Sequence, residues 1–167
     1  MAVSLFTVLH AQNEALPDSP SKPAARADKP AHADRSFFEK AAKAGAKEVE
    51  VSQAVIDRLT NPQVREFAQT MIATHTETNS QLTALAVAKG ITLPVDSMKA
   101  GEKWSKKSGD LDEDYVEEMK DDHEDAVKLF EKASKSDDVE VAAFAQKTLP
   151  TLLHHLEMAK SLKKSVK

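Results

Sequence analysis

Beyond about residue 36, apolar residues recur every three to four positions, the spacing of a stripe along one side of an α-helix. Four such stripes can be traced. The first runs from Ser36, a suitable N-cap, to about Thr60 and carries Phe37, Ala41, Ala44, Val51 and Val55. Asn61-Pro62 closes it and opens the second, with Asn as cap and Pro at the first helical position. That second helix carries Val64, Ala68, Met71, Leu82 and Leu85 and runs to about Lys89, where Gly90 and then Pro94 stop it. A third stripe, Val116, Met119, Val127 and Phe130, predicts a helix from about Asp112 to Ser134. After a turn at Ser136-Asp137-Asp138 the fourth, from Val139 to about Leu162, carries Val141, Ala145, Leu152, Ala159 and Leu162, with a kink expected at Pro150. Between the second and third helices, Ile91–Asp110 is a long connection with room for a short helix around Lys99–Lys107 that carries Trp104.

Two tight helical hairpins joined by one long crossover predict an all-α fold, an antiparallel four-helix bundle of ferritin-like connectivity. A plain up-and-down bundle with a large loop is the alternative. Composition agrees with close-packed helices: aromatics are 5% of the 167 residues and glycines number four, too little turn chemistry for a protein of many strands. The segment Asn13–Arg35 is rich in alanine, charge and proline and buries too little apolar surface to order itself, so residues 1–35 are expected to stand apart from a bundle domain at 36–167. Met1–Leu9 followed by His10-Ala11-Gln12 resembles the end of a secretory signal peptide cut after Ala11, although no basic residue precedes the apolar run. That reading predicts an exported, periplasmic or envelope protein.

Charge narrows the partners. A net charge of −4 with acidic and basic residues well mixed leaves no electrostatic footprint for nucleic acid. No stretch approaches the ~20 apolar residues of a membrane-spanning helix, which argues against an integral membrane protein. Absence of cysteine removes thiolate ligands, cysteine nucleophiles and disulfides.

The chemistry lies in the gaps of the stripes. On the first helix the pattern between Ala44 and Val51 passes through Glu48; on the second, between Met71 and Leu82, through His75. On the third, between Met119 and Val127, it passes through His123, and on the fourth, between Leu152 and Ala159, through His155, with His154 falling on the flank. A buried carboxylate is costly unless something compensates it, and one Glu beside three His makes a first shell for a divalent metal. Zn is favoured for such a closed N/O site, while Fe, Mn and Cu share the donor set. Counting rise per residue from the connecting turns places Glu48 and His75 at about 18 and 21 Å, His123 at about 20 Å and His155 at about 26 Å, so His155 is expected to lie more than a turn too deep. Without a metal, the same residues would pair with one another or with Tyr115. No Glu stands three residues before any of these histidines, so the Glu-x-x-His repeat of carboxylate-bridged di-iron bundles is missing, and no Ser-His-Asp order or phosphate-binding glycine loop occurs.

Several of these residues sit in a recognisable context. Phe37-Phe38 with Glu48-Val49-Glu50, Phe67-Ala68 and Met71 with His75-Thr76, Leu82 and Leu85-Ala86, and Gly90-Ile91 with Leu93-Pro94 resemble a bacterial family of exported ferritin-like domains of unknown function, family 4142, often automatically named predicted outer membrane protein. The resemblance continues at Asp114-Tyr115, Asp122-His123-Glu124 and Leu149-Pro150 with Leu152 and His155-Leu156, spanning about 37–162. It implies a ferritin-like fold, an envelope location, and Glu48, His75, His123 and His155 as the characteristic polar positions. Thr74 departs from the pattern, standing where the family usually has Asp. The resemblance supplies no reaction.

Three functions are weighed from the sequence: first an envelope protein that binds one divalent metal, for metal handling or stress protection; second a metal-free envelope interaction module; and last, disfavoured by the missing di-iron repeat, a redox enzyme descended from ferritin-like oxidases. In the second, the buried polar residues only specify packing, while an exposed Trp104 region and the proline-rich segment meet partners.

Overall fold

The computed structural model describes residues 31–93 and 99–166. Among them are five α-helices and no strand: α1 (His32–Val55), α2 (Pro62–Ala88), the short α3 (Lys99–Ser105), α4 (Leu111–Ala133) and α5 (Val139–Lys163). The protein is all-α, as its periodicity predicts. A 3-10 turn at Ile56–Arg58 separates α1 from α2. The expected signal-peptide remnant and most of the expected linker lie outside the described residues.

Helix ends follow local chemistry wherever a capping side chain is available. Asn61, Asp110 and Asp138 each accept a backbone N–H of the first turn, from Gln63, from Glu113, and from Glu140 and Val141 respectively. Gly90, at φ 65°, ends α2: its N–H donates to the Val87 carbonyl and that of Ile91 to the Ala86 carbonyl, while Ile91 and Ala86 join one apolar cluster. The start of α1 departs from expectation. It begins at His32, four residues before the expected cap at Ser36, and Ala31 offers no side-chain cap. Asp34 is buried in the first turn, where its charge suits the helix dipole, and accepts a 2.7 Å hydrogen bond from Ser136 at the α4–α5 turn. A tertiary contact therefore extends this helix into the region whose composition reads as linker.

The four long helices lie side by side. Phe37 meets Phe130, Lys47 meets Asp122 and Ser52 meets Tyr115, so α1 and α4 run antiparallel. Glu48 against His75 and Gly45 against Asn79 set α1 and α2 antiparallel. Phe144 near Phe130 and His155 near His123 do the same for α4 and α5, and His155 near His75 with Lys147 near Gln81 for α2 and α5. It follows that α2 and α4 are parallel and that the chain between them returns along the whole length of the helices.

That return is anchored by α3, which packs on α1. Arg58 donates to the carbonyls of Trp104 and Ser105 at 3.0 and 3.1 Å and to that of Lys107. Trp104, expected to be exposed, is 5% exposed: its ring stands edge-on to Tyr115 at 6.4 Å with the Lys107 ammonium over its face. A large aromatic in a short helix is covered here because the crossover lies against the core, which a reading of the connection as surface loop misses. Helix α5 continues through Pro150 without a break in its helical assignment.

The core is two clusters, not one. Phe37, Phe38, Leu82, Phe130, Phe144 and Leu152 belong to the first, and Val51, Phe67, Met71, Tyr115, Met119 and Ala159 to the second. The break between them falls at the same level on all four long helices.

Candidate metal centre

At that level each long helix contributes one buried polar side chain: Glu48 from α1, His75 from α2, His123 from α4 and His155 from α5, none more than 4% exposed. Glu48, His123 and His155 have apolar residues a turn away on both sides, and His75 stands between Met71 and, two turns on, Leu82; the 3–4 pattern thus delivers four polar groups to one layer between the apolar clusters. All four residues expected from the sequence are therefore brought together. His154, on the flank, is exposed.

The depth offset expected for His155 is absent, because α4 and α5 do not start level at their turn. The Gln146 amide, two turns into α5, donates to the Ser134 carbonyl at the end of α4, so α5 overhangs its partner before reaching the shared layer.

The three imidazoles face one another. Their ring centroids are 5.3 Å apart in every pair, and one nitrogen from each lies within 4.8 Å of the others. His123 Nδ1–H donates to the Met119 carbonyl at 2.8 Å, which fixes the ring and leaves Nε2 with its lone pair. Nε2 in turn lies 3.2 Å from His155 Nδ1. His75 Nδ1 donates to Glu48 Oε2 at 2.8 Å, and its Nε2 is buried without a partner among the described residues. The second oxygen of Glu48, Oε1, is likewise buried and unpartnered, 3.7 Å from His123 Nδ1. Tyr115, the alternative partner, bonds elsewhere: its hydroxyl shares a 2.7 Å hydrogen bond with Ser52, which donates to the Glu48 backbone carbonyl.

Burial is the largest influence on the Glu48 carboxyl and pushes its pKa up. The hydrogen bond from His75 and the fields of the three imidazoles together outweigh it and hold the group below the ordinary carboxylate value, hence ionised. Burial drives the two histidines of the second hairpin the other way. His123 is lowered, desolvation outweighing the pull of Glu48, and His155 falls to about 3 through desolvation and its imidazole neighbours. Both are therefore neutral near pH 7, the state in which imidazole ligates a metal.

These features meet the needs of a cation site in the His75–His123–His155 group. Ligand nitrogens around a tetrahedral ion at 2.0–2.1 Å stand about 3.3 Å apart, close to the His123–His155 separation of 3.2 Å. His75 presents an unused buried nitrogen, and a carboxylate holds its other nitrogen, the arrangement that orients metal-bound histidines. A lone anion in an apolar core also gains from a cation beside it.

Beside the layer lies a group the stripes did not reveal. Lys47 bridges Glu118 at 2.6 Å and Asp122 at 2.7 Å across the α1–α4 seam. Burial, opposed by Lys47 and helped by the charge of Glu48, raises the Asp122 carboxyl to about 6, and its Oδ2 is buried and unpartnered. The signal in the sequence is adjacency: Lys47 precedes Glu48 and Asp122 precedes His123.

Comparisons with known proteins agree with this architecture. A crystal structure of a DUF305 fragment from Deinococcus radiodurans superposes with a TM-score of 0.69 over 81% of this chain and 97% of that one, at 14% identity, a likeness of fold alone. No curated protein matches the chain in sequence. The sequence profile described as "Domain of unknown function (DUF4142)" matches residues 19–162, the greater part of the chain and all four residues of the polar layer, and the protein therefore belongs to the DUF4142 family.

Proposed function

We propose that the protein is a ferritin-like four-helix bundle that binds one divalent metal ion through His75, His123 and His155, with Glu48 either orienting His75 or completing the shell. The observation that carries this reading is the convergence of three buried imidazoles with nitrogens within 4.8 Å of one another around an unpartnered His75 Nε2. Two hairpins and a return between parallel α2 and α4 support the ferritin-like description. An all-nitrogen set with a carboxylate behind it suits Zn, with Cu and Fe sharing the preference for imidazole. Metal handling or stress protection in the periplasm or envelope is the role this reading assigns. The signal-like Met1–Ala11 supports the location, which cell fractionation checks.

The test is metal content after equilibrium dialysis of untagged protein against Zn, Fe, Mn or Cu, beside a His123→Leu variant. One equivalent of ion in the wild type is expected, and none in a variant that keeps its helical circular dichroism. The leucine fills an apolar seam, so the metal-free variant is expected to be at least as stable as the metal-free wild type. Failure of the wild type to take up any of the four ions overturns the reading. The layer would then be a hydrogen-bonded packing device, as the Glu48–His75 and His123–His155 contacts alone would allow.

A further inference from the structure

The seam between α1 and α4 grades from solvent to the polar layer. Lys47 and Glu118 side chains are each 35% exposed and Asp122 21%, while Glu48 is 2% exposed and His123 fully enclosed. Three carboxylates along this line face one ammonium, so the seam carries an excess of negative charge even with Lys47 in place. Two of their oxygens, Asp122 Oδ2 and Glu48 Oε1, are buried and have no hydrogen-bond partner among the described residues. Asp122 Oδ1 holds Lys47, and Glu48 Oε2 holds His75, so each carboxylate has one committed oxygen and one free. Buried anionic oxygens without partners are costly. The ammonium on this line, Lys47, is held by ion pairs to Glu118 and Asp122 Oδ1 on a long, partly exposed stem.

We propose that Glu118, Asp122 and the free oxygen of Glu48 form a port through which a divalent cation enters, closed in the metal-free protein by the Lys47 ammonium. This inference rests on the metal-binding reading and adds a second cation site to it. An arriving ion displaces the ammonium from Asp122 and Glu118, takes carboxylate oxygens as ligands, and passes inward by way of Glu48 to the three imidazoles. Oxygen donors outside and nitrogen donors within order the two sites by affinity for a borderline metal, so transfer runs inward. Lys47 swings out on its stem and remains solvated.

Stopped-flow uptake of Co²⁺, read from the absorption of the tetrahedral ion, tests the port separately from the centre. It is applied to the full chain, to Lys47→Met, to the double variant Glu118→Gln/Asp122→Asn, and to Lys128→Met as a control at an exposed pair elsewhere on α4. Removing the acidic pair is expected to slow uptake about tenfold or more with the final stoichiometry and spectrum unchanged. Lys47→Met is expected to speed uptake several-fold, and Lys128→Met to leave it alone. The opposite signs keep the test decisive if one variant folds poorly. Normal final binding with both sets of variants within twofold of the wild-type rate overturns the port and leaves the metal centre standing. Absence of Co²⁺ binding by the wild type overturns the port, and the metal centre falls with it when Zn, Fe, Mn and Cu are refused as well.

Discussion

At the scale of single residues, the informative fact is how each polar atom of the buried layer is used. Glu48 uses one oxygen on His75, His123 uses Nδ1 on a backbone carbonyl, and two atoms left over, Glu48 Oε1 and His75 Nε2, are buried without a partner among the described residues. The division of labour predicts graded rather than uniform effects of substitution. Glu48→Gln keeps an acceptor for His75 but removes the charge, and is expected to weaken Zn affinity by about 10–100-fold while leaving one equivalent bound at saturation. Competition against a chromophoric chelator measures this, and an unchanged affinity would show that the Glu48 charge does not compensate the ion. Identity of the four residues is legible in the sequence because each interrupts an apolar stripe. Their roles are not, since periodicity fixes which side of a helix a residue occupies and says nothing of which oxygen meets which nitrogen. Lys47, Glu118 and Asp122 escape for the same reason: they flank the stripes, where charged residues are ordinary solvated surface.

At the scale of elements, local signals set most boundaries and tertiary contacts set the rest. Asn61-Pro62, Gly90 and Asp138 each fix an end through their own backbone or side-chain chemistry, and those ends can be read directly. The start of α1 cannot, because it depends on Ser136 reaching Asp34 from the far end of α4. A comparable long-range device holds the α1–α2 turn. Asp112, buried at the start of α4, accepts from the Thr60 and Asn61 backbone N–H groups at 3.1–3.2 Å and from the Thr60 hydroxyl. Asp112→Ala strands those donors, and the loss expected is about 2–3 kcal/mol in urea unfolding, a large effect for a residue outside either apolar cluster. A change below about 0.5 kcal/mol, the level of an ordinary surface substitution, would mean water replaces the carboxylate without cost. The displaced depth of His155 belongs here too. Counting from a turn assumes that two helices leave it level, and the Gln146–Ser134 contact shows that α5 does not.

For the whole molecule, the layer makes stability depend on acidity. His123 and His155 have folded pKa values below the unfolded value near 6.5, His155 at about 3. The unfolded chain therefore binds more protons in that window, and stability present above pH 6.5 is lost as pH falls toward about 3. Metal-free protein is expected to unfold at progressively lower temperature through this range, at up to about 1.4 kcal/mol per pH unit for one such group. Thermal melts in chelator from pH 7.5 to 4 measure it. A His123→Leu/His155→Leu variant should show a shallower slope, and equal slopes would place the acid sensitivity elsewhere.

The split core also fixes how the helices are aligned. Phenylalanine and aliphatic side chains above and below the layer are interchangeable enough that a purely apolar interior tolerates a helix sliding by one turn, about 5.4 Å. Here such a slip drives an ionised Glu48 or an imidazole into the Phe37–Phe130–Phe144 block or the Met71–Met119 block, far from its partners. Four polar notches at one level act as a key: only one vertical arrangement of the helices lets all of them meet, with or without an ion between them.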